Sequence, residues 1–181
     1  MNIGIISDTH GSYTAFLKTI NNMEKCECLI HAGDILYHGP RNPLPEGYNP
    51  KELANIINDI EIPFIAAKGN CDAQIDQMVL SIPIQSPFAF ACIGNFRILV
   101  THGHEHSENQ LIDLAAKWQI NLLVTGHTHK KMLKKKNGLV LVNPGSCALP
   151  KDEIPSAAIV TGSKISLFDI KTGQKIKECD L

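Results

Sequence analysis

The sequence predicts an α/β domain in which two β-sheets pack face to face with helices outside. Three observations carry this. The first part alternates short apolar runs with helical patterns in a βαβαβ order. From Gln77 onward most runs come in pairs joined by tight turns, as antiparallel hairpins do. Several runs are also apolar and β-branched throughout, the mark of buried strands. No repeat, low-complexity segment or linker interrupts the chain, so residues 1–181 are expected to form a single domain.

Taken in order, Asn2 to Ser7 reads as a buried strand and Asp8-Thr9-His10-Gly11 as the turn after it. Ser12 can cap a helix to about Lys25, with Phe16, Leu17, Ile20 and Met23 at helical spacing. Cys28 to Ala32 is a second strand, ending in Gly33-Asp34, with His31 a packing histidine inside it. Ile35 to Asn49 holds three prolines and two glycines and is expected to be a structured loop. Tyr37, His38, Arg41 and Tyr48 mark that loop as a substrate wall, a partner contact, or both. Pro50 suits the first turn of a helix to about Ile60. Pro63 to Ala67 is the third strand, and it delivers Lys68-Gly69-Asn70-Cys71-Asp72.

In the second half, Met78 to Ile84, Ala89 to Ile93 and Phe96 to Thr101 read as antiparallel strands, the last two joined at Gly94-Asn95. The third of these ends in Thr101-His102-Gly103-His104. Ser107 can cap a helix through Trp118 with Leu111, Leu114 and Ala115 on its core face, leaving His106 exposed. Asn121 to Thr125 is a buried strand. Gly126 marks a sharp turn after it, where a Cβ would clash, and His127-Thr128-His129 follows. Lys131 to Leu141 reads as a hairpin on Asn137-Gly138, and Val142 to Ser146 as a glycine-rich turn. Ser156 to Cys179 supplies three short strands.

Composition removes several classes of function. The formal net charge is −1, so no broad nucleic-acid-binding face and no stable nucleic-acid complex is expected. The lysines between Lys130 and Lys136 flank a hairpin, where a solvated edge strand accounts for them. No apolar run reaches the ~20 residues of a membrane span. The N-terminus enters a strand pattern without a signal-peptide layout, so a cytoplasmic protein is expected. The six cysteines show no paired spacing and should be free thiols.

What stands out is where the polar residues fall. Five strand ends deliver Asp8 and His10, Asp34, Asn70, His102, and His127 and His129. Each of these turns has a glycine beside it. Four of the eight histidines lie in them. Strand ends are where α/β sheets place ligands. Imidazole, carboxylate and amide donors together suit borderline divalent metals. This many donors exceeds what one metal needs. Two metals bridged by a carboxylate fit better, an arrangement used in phosphoryl hydrolysis.

With those motifs in hand, the chain resembles the calcineurin-like metallophosphoesterases. The resemblance runs in order through Asp8-Thr9-His10, Gly33-Asp34, Gly69-Asn70-Cys71-Asp72, His102-Gly103-His104 and Gly126-His127-Thr128-His129. It extends to Asn143-Pro144-Gly145-Ser146. The loop from His38 to Tyr48, with Val79-Leu80, is similar to the small bacterial YfcE-type phosphodiesterases. The resemblance implies a four-layer α/β/β/α sandwich of two mixed sheets. It implies that Asp8, His10 and His129 hold one metal, that Asn70, His102 and His127 hold another, and that Asp34 bridges them. Two divalent ions are implied, Mn2+ by family habit and by the hard carboxylate bridge, with Fe, Co, Ni or Zn as alternatives. The implied reaction is hydrolysis of a small phosphodiester by a water activated between the metals, and YfcE-type relatives imply a homo-oligomer.

Four residues complete the expected site. Most of the family carries histidine after Gly-Asn as donor to the leaving group, where this chain has Cys71. Cys71 reads either as a weak donor or as a space filler. His38 and Arg41 read as contacts to phosphate or leaving group, or as loop residues held by their own neighbours. Asp72 reads as a support for a ligand or for Lys68. The competing functions are a phosphomonoesterase or nucleotidase on the same site, and a protein-binding scaffold of the same fold.

Overall fold

The computed structural model describes residues 1–23 and 25–181. In chain order the elements of the first half are β1 (Asn2–Ile6), α1 (Tyr13–Asn21), β2 (Cys28–His31), α2 (Pro50–Asn58), β3 (Phe64–Ala67), α3 (Asp76–Val79) and β4 (Ile84–Gln85). The second half adds β5 (Ala89–Ile93), β6 (Phe96–Val100), α4 (Glu108–Lys117), β7 (Leu122–Val124), β8 (Lys131–Lys136) and β9 (Leu139–Pro144). It closes with β10 (Ser156–Thr161), β11 (Lys164–Asp169) and β12 (Lys175–Asp180).

The strands form two mixed sheets, one of seven strands in the order β12-β11-β10-β1-β2-β3-β4 and one of five in the order β5-β6-β7-β9-β8. Strand alternation assigns each side chain to a layer. In β1, Ile3 and Ile5 face the space between the sheets while Ile6 faces the helices. In β7, Leu122 and Val124 face the other sheet while Leu123 packs with Leu111 and Ala115 of α4. Phe16, Leu53 and Ile57 cover the seven-stranded sheet from α1 and α2. The result is the expected four-layer α/β/β/α sandwich. The central strands are apolar on both faces because both faces are covered.

Several local expectations hold. Ser12 accepts from Ala15 N–H as the cap of α1, and Ser107 and Gln110 form a capping box on α4. Asn137 and Gly138 take φ of 52° and 83°, as a two-residue hairpin turn requires. β8 with its lysines is a sheet edge. His31 is fully buried against Thr9, and all six cysteines are free. Among the described residues no helix is long and apolar enough to cross a membrane.

Other expectations are corrected. Met78 to Ile84 is not one strand but the single turn of α3 followed by the two residues of β4. Polar side chains close this backbone. Asp76 accepts from Ala73 N–H at 2.8 Å, and the Gln77 amide donates to Ile82 C=O at 2.8 Å and accepts from Ile84 N–H at 2.6 Å. A short apolar run does not distinguish a helical turn from a strand. α1 stops at Asn21, because the Asn22 amide turns back to Lys18 C=O and across to Ile170 C=O. α2 likewise ends at Asn58 rather than Ile60. Val142 to Pro144 stays extended within β9, so only Gly145 onward turns. His106 is half-buried beside Phe88, not exposed.

Leu122 is fully buried between the sheets. Leu122→Ala should lower the unfolding free energy by about 3 kcal/mol. Urea denaturation measures this, and a loss well under about 1 kcal/mol would deny the inter-sheet layer its place as the main core.

Candidate metal centre

β1, β2 and β3 run parallel in one sheet, and β6 and β7 run parallel in the other. Their C-terminal ends meet at one edge of the sandwich. The turns that leave them are held in conformations a free chain avoids. Asp8, His10, Asp34, His127 and His129 all take positive φ, between 47° and 68°. Such residues are strained by about 1 kcal/mol or more each and persist only where neighbours fix them. The fixing groups are visible. Asp8 N–H donates to Gly33 C=O at 3.1 Å and His10 N–H to Asp34 C=O at 3.0 Å, lacing the β1 turn to the β2 turn. The Asp72 carboxylate accepts from Asp34 N–H at 2.8 Å and from Ile35 and Gly69 N–H at 2.7 Å, lacing the β2 turn to the β3 turn. Asp72 therefore supports Asp34, not Lys68. Burial pushes its carboxyl up to about 6, against the pull of these donors.

Two glycines make room for this convergence. Gly33 has φ of 100°, and a Cβ on it would lie 2.6 Å from Gly69 N and 2.9 Å from His102 Nδ1. Gly126 is there for space, its φ not being positive: a Cβ would sit 3.0 Å from Asp8 Oδ2 and 3.1 Å from His102 Nδ1.

Three imidazoles are anchored through Nδ1 to backbone carbonyls: His10 to Tyr37 at 2.9 Å, His102 to Ala32 at 2.7 Å and His129 to Leu149 at 2.6 Å. Each Nδ1 then carries the proton, and each Nε2 offers a lone pair. The three Nε2 atoms point at two carboxylates. Asp8 Oδ1 is 3.3 Å from His129 Nε2 and 3.7 Å from His10 Nε2. Asp34 Oδ2 is 3.3 Å from His102 Nε2 and 3.7 Å from His10 Nε2. Asp8, His10 and His129 form one group able to hold an ion, and Asp8, Asp34 and His102 form another.

These groups suit a cation and little else. His10 Nε2 and His129 Nε2 stand 3.1 Å apart, two lone pairs face to face. Asp8 Oδ1 and His102 Nε2 are buried with no hydrogen-bond partner among the described residues. A buried polar group left unpaired costs about 1–3 kcal/mol. Shared divalent cations would satisfy all four atoms. Electrostatics agree: burial opposes charge on His102, yet Asp34 and Asp8 raise its pKa to about 9. Burial likewise opposes charge on Asp34, and His102 nonetheless holds its carboxyl far below the usual range. Without a metal, a proton takes the cation's place.

The remaining expected residues fall as follows. Asn70, His127 and His129 line a cleft of about 890 Å³, with Asp34, Cys71 and Arg41. Asn70 is exposed, its amide 3.2 Å from Cys71 Sγ. The His127 ring is 5.2 Å from that of His102, and the His127 backbone N–H donates to Asp8 Oδ2 at 3.1 Å. Cys71 N–H donates to Asp34 Oδ1 at 2.8 Å, and its thiol lies among the donor atoms of His10 and Asp34. Burial, with Asp34 next, pushes that thiol up to about 12, so it stays protonated. His38 is not among the residues lining the cleft. Its ring packs edge-on to Tyr37 and Tyr48, with centroids 4.7 and 5.2 Å away.

Some site residues escaped the sequence reading. Lys151 lines the cleft, and its N–H donates to His129 C=O at 3.0 Å. The Asn143 amide donates to Gly126 C=O at 2.7 Å, and the Ser146 hydroxyl donates to Asp8 C=O at 2.7 Å. These two residues brace the turns after β7 and β1. Their glycine-rich segment was a visible signal. Nothing in the sequence marked Lys151.

The calcineurin-like phosphoesterase superfamily domain matches residues 1–164. The phosphodiesterase YfcE of Escherichia coli is 36% identical over 159 residues, covering 87% of this chain and 85% of that protein. A phosphodiesterase of Methanocaldococcus jannaschii is 28% identical over 91% of this chain and 95% of its own. The solved structure of the E. coli phosphoesterase YfcE superposes with a TM-score of 0.87 at 29% identity, covering 99% of both chains. Vacuolar Protein Sorting 29 from Cryptosporidium parvum superposes at 0.69 with 20% identity over 99% of this chain and 98% of that one, a likeness of fold.

Asp72→Asn leaves one acceptor oxygen for three backbone donors. It should weaken divalent-metal binding by about 10- to 100-fold, as loss of a group behind a ligand does. Isothermal titration reads this, and unchanged affinity would show that the turns hold without Asp72.

Proposed function

The chain belongs to the calcineurin-like phosphoesterase superfamily, and from that premise we infer that it is a metal-dependent hydrolase of small phosphodiesters. The observation that carries the reading is the buried meeting of His10, His129, Asp8, Asp34 and His102, whose ligand atoms face one another and leave Asp8 Oδ1 and His102 Nε2 without a hydrogen-bond partner among the described residues. Asp8, His10 and His129 would hold one ion, Asn70, His102 and His127 the second, and Asp34 would bridge them. Mn2+ suits this mixture of hard carboxylate and imidazole. Bound there, a divalent pair lowers the pKa of a water toward neutrality and offsets the charge of the phosphate oxygens.

The chain's own groups supply the rest. The backbone carbonyls behind His10, His102 and His129 fix each ring and its tautomer. Cys71 N–H fixes the second oxygen of Asp34, which orients the bridge. Arg41 and Lys151 on the cleft wall bring positive charge to a phosphodiester entering it. The transition state of phosphoryl transfer spreads charge over the equatorial oxygens, where such groups act. The protonated Cys71 thiol is a weak donor for a departing oxygen, so substrates with acidic leaving groups are favoured. His38 serves as a brace between Tyr37 and Tyr48.

A phosphomonoesterase on the same site would need a stronger proton donor than a thiol for alkyl leaving groups. A scaffold would have no use for buried donors left unpaired. The six free cysteines suit a reducing compartment, and we place the protein in the cytoplasm. Self-association, implied by the YfcE-type resemblance, is read by sedimentation velocity.

Metal-stripped protein should gain activity toward bis(p-nitrophenyl) phosphate when Mn2+ is added, and more than toward p-nitrophenyl phosphate. An absence of stimulation returns the scaffold reading. Asp34→Asn should lose about 100-fold or more of that activity, because a ligand matters at least as much as a group behind one. Cys71→His should raise turnover of alkyl diesters about tenfold or more relative to aryl diesters, by supplying a general acid. Unchanged relative rates would remove Cys71 from the mechanism.

A further inference from the structure

A second cavity, of about 550 Å³, lies beside the metal cleft, and Tyr37 lines both. Its other apolar walls come from Leu36, Tyr48, Ala54, Ile75 and Val79. Leu36 and Ala54 form a floor that is nearly closed to water, at 5% and 6% exposure. Ile75, Val79 and Tyr37 are open to solvent at 58%, 50% and 42%. Lys51 and Asp76 carry opposite charges, and Asp76 is already engaged with Ala73 N–H, so the cavity has no net sign and few free polar partners.

This apolar surface is held open. Ile75 and Val79 sit at either end of α3, the turn that Asp76 and Gln77 tie down with their side chains. The Tyr37 wall is fixed on its other side, because its carbonyl is the acceptor for His10 Nδ1 at 2.9 Å. The Tyr37 ring packs against His38, and His38 in turn against Tyr48. The same residue thus orients a candidate metal ligand and bounds the apolar cavity. Apolar clefts of this size with few polar partners are typical of sites for small organic groups.

We propose that this cavity receives a neutral, ring-sized apolar substituent of the phosphodiester while the phosphate lies in the metal cleft, an inference that rests on the metal-dependent phosphodiesterase reading. Burying such a ring against Tyr37, Ile75 and Val79 adds affinity independent of the metal ions. Small alkyl diesters would leave the cavity wet and bind less well.

The test uses two phosphonates that cannot be hydrolysed, methylphosphonate and (1-naphthyl)methylphosphonate, titrated calorimetrically into Mn2+-loaded protein. The naphthyl compound should bind about tenfold or more tighter. Val79→Asp, which makes the wall polar, and Asn55→Trp, which fills the space from the exposed face of α2, should each bring the two affinities together. Both should leave methylphosphonate affinity and the circular dichroism spectrum unchanged. Equal affinities in the unsubstituted protein, or a ratio that survives both substitutions, would overturn the proposal. A dimer that dissociates on Val79→Asp would also overturn it, assigning the patch to a second copy of the chain. Failure of methylphosphonate itself to bind would instead bring down the metal-site reading beneath it.

Discussion

The structure depends on one electrostatic arrangement. Two carboxylates and three imidazoles meet in a buried space with their acceptor atoms turned toward one another, and only positive charge lets them stay there. Desolvated anions and lone pairs at such distances repel one another. In the protein without metal, a proton on His102 relieves part of this, as its raised pKa shows. Everything around the centre keeps the donors from relaxing apart: the left-handed turns, the carbonyls behind each imidazole, and the Asp72 carboxylate gathering three backbone N–H groups. The sandwich beneath serves as a rigid mount. Its inter-sheet layer fixes the ends of β1, β2, β3, β6 and β7 relative to one another, although those strands belong to two different sheets.

That division of labour explains what could be read from the chain and what could not. Strands covered on both faces are near-continuous apolar runs, and polar turns with glycine beside them mark where those runs end. The candidate positions Asp8, His10, Asp34, Asn70, His102, His127 and His129 therefore stood out by rhythm before any geometry was known. Gly126 was recognised for the reason the structure bears out: a Cβ there would clash, and the groups it would strike are Ser7 and Asp8. The Met78 to Ile84 run misled because its conformation is set by the side chains of Asp76 and Gln77, which hydrophobic pattern ignores. Lys151 and the bracing by Asn143 and Ser146 depend on contacts between segments far apart in the chain. His38, placed close after Asp34 in sequence, is carried to the aromatic side of the loop instead of into the cleft.

Strain and space are shared between the strand-end turns in a specific way. Polar residues hold left-handed conformations in these turns, and glycines beside them, some left-handed themselves, let backbone pass. Exchanging these roles would cost twice: a side chain at Gly33 would strike the Gly69 backbone, and a glycine at Asp34 would remove the carboxylate that faces His10 and His102. The site thus tolerates little drift in sequence at positions that make no contact with metal or substrate.

Cys71 and the apolar cavity are separate observations that bear on the same question. The thiol beside Asp34 keeps its proton and gives it up reluctantly, so it offers little help to an alkoxide leaving group. A centre of this kind works best on esters whose leaving oxygen departs without assistance, and the commonest such oxygens are attached to aromatic rings. The cavity bounded by Tyr37, Ile75 and Val79 offers such a ring an apolar wall. A histidine at position 71 would have freed the chain from dependence on leaving-group acidity, and with it from any need to select an aromatic substituent. The weak donor and the apolar wall are then two consequences of one restriction on substrate.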